Sequence, residues 1–353
     1  MVCFTAQAKG LTKSLSFLLL MVLWLTACTF PIDPDLPARG AEAAAHTDDH
    51  AGLTAADFAA IPEVARGVQV DFQKGYYVEE VSDGLYWVTT GTDMSMFLTT
   101  GEGVILVDYP PSFGENLLKA IAEVTDEPIT HFIYSHAHVD HTGGAGSLPG
   151  DVTYIGHAET ANLLTRAQDA RRPVPTVTFT DMYTLTVGTQ TLELAYKSAN
   201  HQPGNIYIYA PQQKVLMVVD IIWPGWVPFT QLGYAEDVPG YIQAHDDILA
   251  YDFDLLIAGH LNRPGTRQDV ETQKAYIGDL QANALAALQS VDFYAAANRV
   301  GYENTWLLVD TYFTDLVQSC TEQTEAQWVG KLAGADVWSA DNCLAMIQRW
   351  RLD

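Results

Sequence analysis

The chain has 353 residues, with 18 Lys and Arg against 43 Asp and Glu, for a formal net charge of −25. Nucleic-acid binding draws mainly on Lys and Arg neutralising phosphates, so so acidic a chain excludes DNA and RNA as partners. Hydrophobic residues make up 48% and charged residues only 17%, which excludes extended disorder and leaves enough apolar surface for one large domain or two modest ones.

At the N-terminus, Lys9 and Lys13 precede an apolar run from Leu15 to Leu25, closed by Leu25-Thr26-Ala27-Cys28. The run is shorter than the ~20 residues that span a bilayer, and with its basic flank it reads as a signal peptide over residues 1–27. The tetrad resembles the lipobox of bacterial lipoproteins. That resemblance implies cleavage before Cys28, lipidation of its thiol, membrane contact through this N-terminal lipid anchor, and an exported place in the periplasm or cell envelope. Loss of Lys9 and Lys13 with the leader takes the charge from −25 to −27. Of the four cysteines, Cys320 and Cys343 then remain as a pair, and export favours a disulfide between them over two buried thiols.

Residues 28–60 are rich in Pro, Ala and Asp, including Pro31, Pro34, Pro37 and the tract from Ala41 to Ala45, a composition suited to a tether. From Gly75 short β-rich runs follow at 76–81, 85–89, 94–99 and 103–108, divided by Ser82-Asp83-Gly84, Gly91-Thr92-Asp93 and Gly101-Glu102. A helix is expected over 115–124, a strand over 131–134, and a strand and helix over 152–155 and 158–168. Strands resume at 176–180, 183–187, 191–196, 206–209 and 215–219, then a helix over 238–250 and a last strand over 255–258. This order predicts an α+β fold of two sheets packed face to face with helices outside, occupying residues 61–265. Beyond Gly265 the pattern turns helical: Val309, Tyr312, Phe313, Leu316 and Val317 recur at i, i+3, i+4, i+7 and i+8. Residues 266–353 form a helical C-terminal extension that carries no motif; it is expected to cap the site, mediate dimerisation or add core, and the oligomeric state stays open.

Directly after the strand at 131–134 comes Ser135-His136-Ala137-His138-Val139-Asp140-His141-Thr142-Gly143-Gly144. Three imidazoles and a carboxylate within six residues form a dense set of borderline metal ligands, enough to begin two metal sites. His201, Asp220 and His260 each stand at or just past the end of an expected strand, where a sandwich brings side chains to one edge.

These motifs resemble the metallo-β-lactamase superfamily: His-x-His-x-Asp-His at 136–141, His201 in His-Gln-Pro-Gly-Asn, Asp220 after an apolar strand, His260 in Ala-Gly-His, and Asp108 closing Val-Ile-Leu-Val-Asp. The resemblance implies the four-layer αββα sandwich. It implies His136, His138 and His201 on one zinc, Asp140, His141 and His260 on a second, and Asp220 bridging the two Zn²⁺ per chain, with iron or manganese as other metals for the same donors. Asp108 would hold the ligand loop without touching metal. Since Zn²⁺ lowers the pKa of bound water to near 7, the implied activity is hydrolysis of an ester, thioester, lactone or amide by a metal-bound hydroxide, with Asp140 as the catalytic residue that orients the hydroxide or takes its proton. The resemblance places an aspartate at 220 with thioesterases and lactonases; β-lactam hydrolysis stays open. The alternatives are a mononuclear-iron, sulfur-dioxygenase-like oxidoreductase and a non-catalytic, zinc-bearing scaffold module at the membrane.

The partner is a small-molecule substrate. Trp223, Trp226 and Phe229 follow Asp220 closely enough to wall a substrate cleft, or else pack the loop on the sheet. Arg263, three residues after His260, is a candidate for holding a substrate carboxylate or for pairing with a local acidic residue.

Overall fold

The computed structural model describes residues 52–352. The signal segment 1–27, Cys28 and the tether as far as residue 51 lie outside the described residues. No helix among the described residues is long and apolar enough to cross a membrane.

The first sheet has seven strands in sequence order: β1 (Tyr77–Ser82), β2 (Leu85–Thr89), β3 (Met94–Thr99), β4 (Val104–Val107), β5 (Ile129–Ile133), β6 (Thr153–His157) and β7 (Val177–Phe179). Pairing is antiparallel as far as β4 and parallel from β4 to β7. The change of sense follows from the connections. Two-residue and short turns join β1 to β4, whereas α1 (Asn116–Val124) carries the chain from β4 to β5, and α3 (Ala158–Ala167) carries it from β6 to β7, because a parallel neighbour requires a crossover. The short α2 (Val139–Thr142) lies between β5 and β6. The second sheet has the order β12-β11-β10-β9-β8, built from β8 (Met182–Val187), β9 (Gln190–Ala195), β10 (Tyr207–Ala210), β11 (Val215–Met217) and β12 (Leu255–Ile257). Only β11 and β12 pair in parallel.

Strand β4 shows why the layers form. Its four residues are all apolar and buried, and the two-residue period of a strand divides them between two cores. Ile105 and Val107 face the second sheet, with Met96, Ile133, Leu194, Ile208 and Met217. Val104 and Leu106 face outward, where Leu117, Ala120 and Ile121 of α1 and Leu164 of α3 cover them. The outer face of the second sheet, with Tyr207, Leu216 and Val218, is covered by α5 (Val238–Leu249) and by α6 (Arg267–Ser290). The fold is thus an αββα sandwich.

After the short α4 (Thr230–Tyr234) and α5, the C-terminal helices are α6, α7 (Phe293–Val300), α8 (Thr305–Trp328) and α9 (Ala335–Leu352). They share one core with the second sheet: Tyr276 and Leu280 of α6, Leu316 and Trp328 of α8, and Met346 and Ile347 of α9 belong to the same apolar cluster as Tyr207 and Leu216. Cys320 on α8 and Cys343 on α9 form a disulfide with Cα atoms 5.9 Å apart. Of the roles open to residues 266–353, adding core is therefore one they fill.

Candidate metal centre

The segments that follow four strands supply every donor of the site. His136 and His138 follow β5, and Asp140 and His141 lie on the single turn of α2. His201 follows β9, Asp220 follows β11 and His260 follows β12. Asp220 takes a left-handed backbone conformation, φ 63°, which an aspartate tolerates better than most residues and which turns its carboxylate out of the sheet. Before His260, Gly259 has φ 88°. A Cβ there would stand 2.6 Å from Val219 Cγ1 and 3.1 Å from His141 Cε1, so only glycine lets β12 end against the site.

The carboxylate of Asp220 is the hub. Its Oδ2 lies 3.1 Å from His141 Nε2, 3.2 Å from His201 Nε2 and 3.5 Å from His136 Nε2, and its Oδ1 lies 3.1 Å from His260 Nε2. His138 Nδ1 stands 2.8 Å from His201 Nε2, and the Nε2 atoms of His141 and His260 are 3.1 Å apart. Donor atoms of His136, His138, His201 and Asp220 all lie within 4.8 Å of one another, as do those of Asp140, His141 and His260. These are the two groups named from the motifs, and Asp220 reaches into both.

The donor set fits divalent metal. Pairs of imidazole nitrogens face each other at hydrogen-bond distance, which neutral rings tolerate only where a proton or a cation lies between them. His136 Nε2 is buried without a hydrogen-bond partner, although a polar atom so placed is costly. Imidazole nitrogen with carboxylate oxygen suits zinc, iron or manganese. For His136 and Asp220 titration agrees with ligand duty. Burial, reinforced by His138, His141 and His201, holds His136 well below the usual histidine range, leaving it neutral with a lone pair to give. Burial alone would raise Asp220, but His141, His201 and His260 together keep it well below the carboxylate range. Burial opposes charge on His260 too, yet Asp220 and Asp93 push it up to about 11.

Around the donors lies a supporting shell. Asp108 is fully buried; one carboxylate oxygen accepts the Ser135 N–H at 2.9 Å, and the Tyr109 N–H next to it donates to His141 O at 2.8 Å, so Asp108 fixes the ligand loop from behind. Gln202 accepts the Ala137 N–H at 3.0 Å and donates to Glu236. Asp93 carries out a task that sequence reasoning missed: its Oδ1 lies 3.0 Å from His260 Nδ1, which orients the ring and directs Nε2 inward. Its place in Gly91-Thr92-Asp93 was legible only as a turn.

A cavity of about 270 Å³ opens on the donors. His138, Asp140, His201, Asp220 and His260 make its floor, and Trp223, Phe229, Gly233 and Tyr234 its wall. Roomier hollows lie elsewhere, among them one between residues 231–239 and α9 and one between α8 and α9, but neither includes a metal donor. Trp223 lies flat against His260, centroids 5.1 Å apart at 9°, and Phe229 against Trp223 at 6.2 Å. Tyr234 meets the edge of Phe229 at 5.7 Å. Two expected substrate contacts are corrected here. Trp226 is absent from the wall: its indole N–H donates to Ala65 O and its backbone bridges to Ala333, so it glues the loop to the body of the protein. Arg263 is committed to Asp269 through two contacts, 2.6 and 3.1 Å, and to the carbonyls of Val64 and Pro264. With its donors so occupied it has no fork to offer a substrate carboxylate.

Helix α4 is wound the wrong way. Gln231 (φ 51°, ψ 45°), Leu232 (59°, 37°) and Gly233 (68°, 35°) are left-handed, and Tyr234 follows at φ 59°. For three non-glycine residues that conformation costs roughly 3–6 kcal/mol. Leu232 offsets roughly 2 kcal/mol of this by full burial, and side chains from α9 offset more. Asn342 Oδ1 accepts the Leu232 N–H at 2.7 Å and its Nδ2 donates to Pro228 O at 2.9 Å, and Asp341 accepts the Thr230 hydroxyl. Such buried bonds contribute about 1 kcal/mol each, and about 1.5–3 where one partner is charged. Helix α6 adds Gln273, which accepts the Trp223 N–H at 2.7 Å and donates to Ile221 O.

Fold and site together define a metal-binding αββα sandwich whose ligands gather at one edge of the two sheets. Residues 42–260 match the sequence profile described as Metallo-beta-lactamase superfamily, and the chain belongs to that superfamily. A curated relative, the 2,4-dinitroanisole O-demethylase subunit alpha of Nocardioides sp. (strain JS1661), is 24% identical over 254 residues, which cover 66% of this chain and 73% of that protein. Among solved structures, a metallo-β-lactamase from Pontibacter korlensis is 21% identical with a TM-score of 0.48, covering 57% of this chain and 97% of its own. The DIM-1 metallo-β-lactamase is 18% identical with a TM-score of 0.47, covering 57% and 95%.

Proposed function

We propose that the protein is a metal-dependent hydrolase acting on a small, uncharged substrate that carries an aromatic ring. The observation that carries this reading is the cavity itself: metal ligands form its floor, Trp223, Phe229 and Tyr234 its wall, and among the described residues no Lys or Arg lines it. About 270 Å³ suits one substituted ring, near the lower end of small-molecule sites. The name of the curated relative points the same way, since dinitroanisole is a compact aryl methyl ether. The scissile bond would be an ester, thioester, lactone or amide, and an activated aryl ether joins that set.

Bound divalent ions would lower the pKa of water toward neutrality and stabilise negative charge on the departing oxygen. The chain's own residues do the rest. Asp220 and the histidines hold the ions, Asp93 keeps His260 turned inward, and the aromatic wall excludes bulk water and orients the ring. The Asp140 side chain, 58% exposed and 3.7 Å from His141 Nε2, faces the cavity where it can accept the proton of an attacking water.

The zinc-loaded protein should therefore hydrolyse neutral aryl esters, and be tried on a nitroaryl methyl ether, in preference to nitrocefin or a glutathione thioester, both of which bring carboxylates that no cationic side chain in the wall receives. Asp140→Ala and His138→Ala should each lower kcat/KM at least 100-fold, the scale of a lost proton acceptor. Preference for the anionic substrates, or full turnover by the variants, would overturn the reading; metal analysis giving one iron per chain would instead favour an oxidative reaction. We further propose that Cys28 is lipidated and the protein exported. Failure of a radiolabelled fatty acid to attach, or its persistence in Cys28→Ser, sinks that proposal.

A further inference from the structure

Trp338, Asp341 and Asn342 stand at i, i+3 and i+4 on α9 and so share one face of that helix. All three face the segment 228–232. Trp338 meets the Phe229 ring at 4.8 Å and 60°, Asp341 takes the Thr230 hydroxyl, and Asn342 bonds Pro228 and Leu232. Asn342 is wholly buried and its amide is fully determined: Oδ1 faces an N–H, while Nδ2 faces the Pro228 carbonyl and, at 3.3 Å, the Tyr276 hydroxyl. Next to it Cys343 ties α9 to α8. A helix face with only core to cover would be apolar. Here two of the three positions are polar, and both are spent on the backbone or hydroxyl groups of a segment that carries cavity residues at each end.

We propose that Asn342 is a positioning residue for substrate recognition: from the C-terminal extension it holds the left-handed turn 231–234 so that Phe229 and Tyr234 stand as the aromatic wall over the metal ligands. The proposal rests on the cavity being the substrate site. Its physical basis is the conformational preference of the turn. Leu and Tyr do not stay left-handed of their own accord, and without the Asn342 amide the segment can relax to an ordinary loop, swinging Tyr234 out of the cavity. Gly233 reports the same geometry from the other side, because a Cβ there would meet the Trp223 ring at 2.9 Å.

The test compares the full-length zinc-loaded protein with Asn342→Leu, Asn342→Asp and Gly233→Ala. Metal content should be unchanged. In Asn342→Leu the amides of Leu232 and Gly233 should exchange hydrogen at least tenfold faster, while those of α5 are unaltered. KM for 4-nitrophenyl acetate should rise about tenfold with kcat within twofold, and KM for an aliphatic thioester should stay within twofold. Asn342→Asp, which keeps the acceptor for Leu232 but loses the donor to Pro228, should fall between. If Asn342→Leu does not fold, Asn342→Asp and Gly233→Ala decide the matter by the same KM split. If the wild type hydrolyses no aryl substrate, the functional reading fails by itself, and affinity for 4-nitrophenol, read by tryptophan quenching and expected to weaken about tenfold, decides in its stead. Unchanged exchange at 232 and 233, or equal effects on aryl and aliphatic ligands, overturns the role of Asn342.

Discussion

Gln231 offers the cleanest single-residue test of the wrong-handed turn. Its backbone is left-handed and its side chain exposed, so replacement removes little packing. Gln231→Gly should relieve roughly 1–2 kcal/mol of backbone strain, against roughly 0.5–1 kcal/mol for the greater freedom of glycine in the unfolded chain. The expected result is a rise in stability of about 0.5–1 kcal/mol, seen as a higher urea midpoint at constant slope, where glycine inside a right-handed helix would lower it. A fall would mean that residue 231 is not left-handed in solution. At the same scale, the metal ligands were readable from the sequence because His136 to His141 concentrate rare donors in one short stretch and the three distal donors each close an apolar strand. Asp93, Gln273 and Asn342 were not. Their roles exist only across contacts between residues far apart in the chain, such as the 110-residue separation of Leu232 and Asn342, and Asp or Asn alone signals nothing more than a turn or a cap. Trp226 and Arg263 show the converse, since nearness in sequence to Asp220 and His260 does not say which side of a loop a side chain takes.

Among the elements, α5 and α6 are joined by a buried polar contact with a consequence for stability against pH. His245 on α5 places Nδ1 3.0 Å from Tyr241 O and 3.2 Å from Ile242 O, so that nitrogen carries the proton, and its Nε2 faces the Gln273 amide at 3.1 Å. Burial lowers its pKa to about 4, helped by Lys274 and opposed by the two carbonyls and Asp246. The unfolded chain takes up this proton near pH 6.5 and the folded chain only near 4, so between those values the unfolded state binds more protons and stability falls as pH falls. Each pH unit in that window costs up to about 1.4 kcal/mol, roughly 3 kcal/mol in all, and above pH 6.5 the effect is absent. His245→Gln, which cannot titrate, should flatten the stability profile between pH 6.5 and 4 relative to wild type; chemical denaturation at several pH values measures it, and parallel profiles would show that His245 is not the group responsible. The element pattern itself was largely legible, because alternation marks strands and Gly-rich turns separate them. Helix α4 was not. Thr-Gln-Leu-Gly-Tyr holds one glycine, and nothing in local propensity selects a left-handed turn there; α9 imposes it.

For the whole molecule, net charge and metal act on the same balance. A chain of −25 repels itself in the folded state, and the site gathers Asp220, Asp140, Asp93 and Glu236 around histidines as their ion-pair partners. Divalent ions that bind the folded chain and not the unfolded one add stability through mass action, about 4 kcal/mol when free metal exceeds its dissociation constant 1,000-fold. Since the helical extension and the sandwich share one core, that gain should reach α6 to α9 as well as the ligand loops. Chelation should therefore lower Tm by on the order of 10 °C for a protein of this size in a single cooperative transition, with restoration on adding zinc. Calorimetry would decide: two separate transitions, only one of them responding to metal, would mean that the extension is an independent unit and that its grip on the 221–235 segment is looser than the shared core implies.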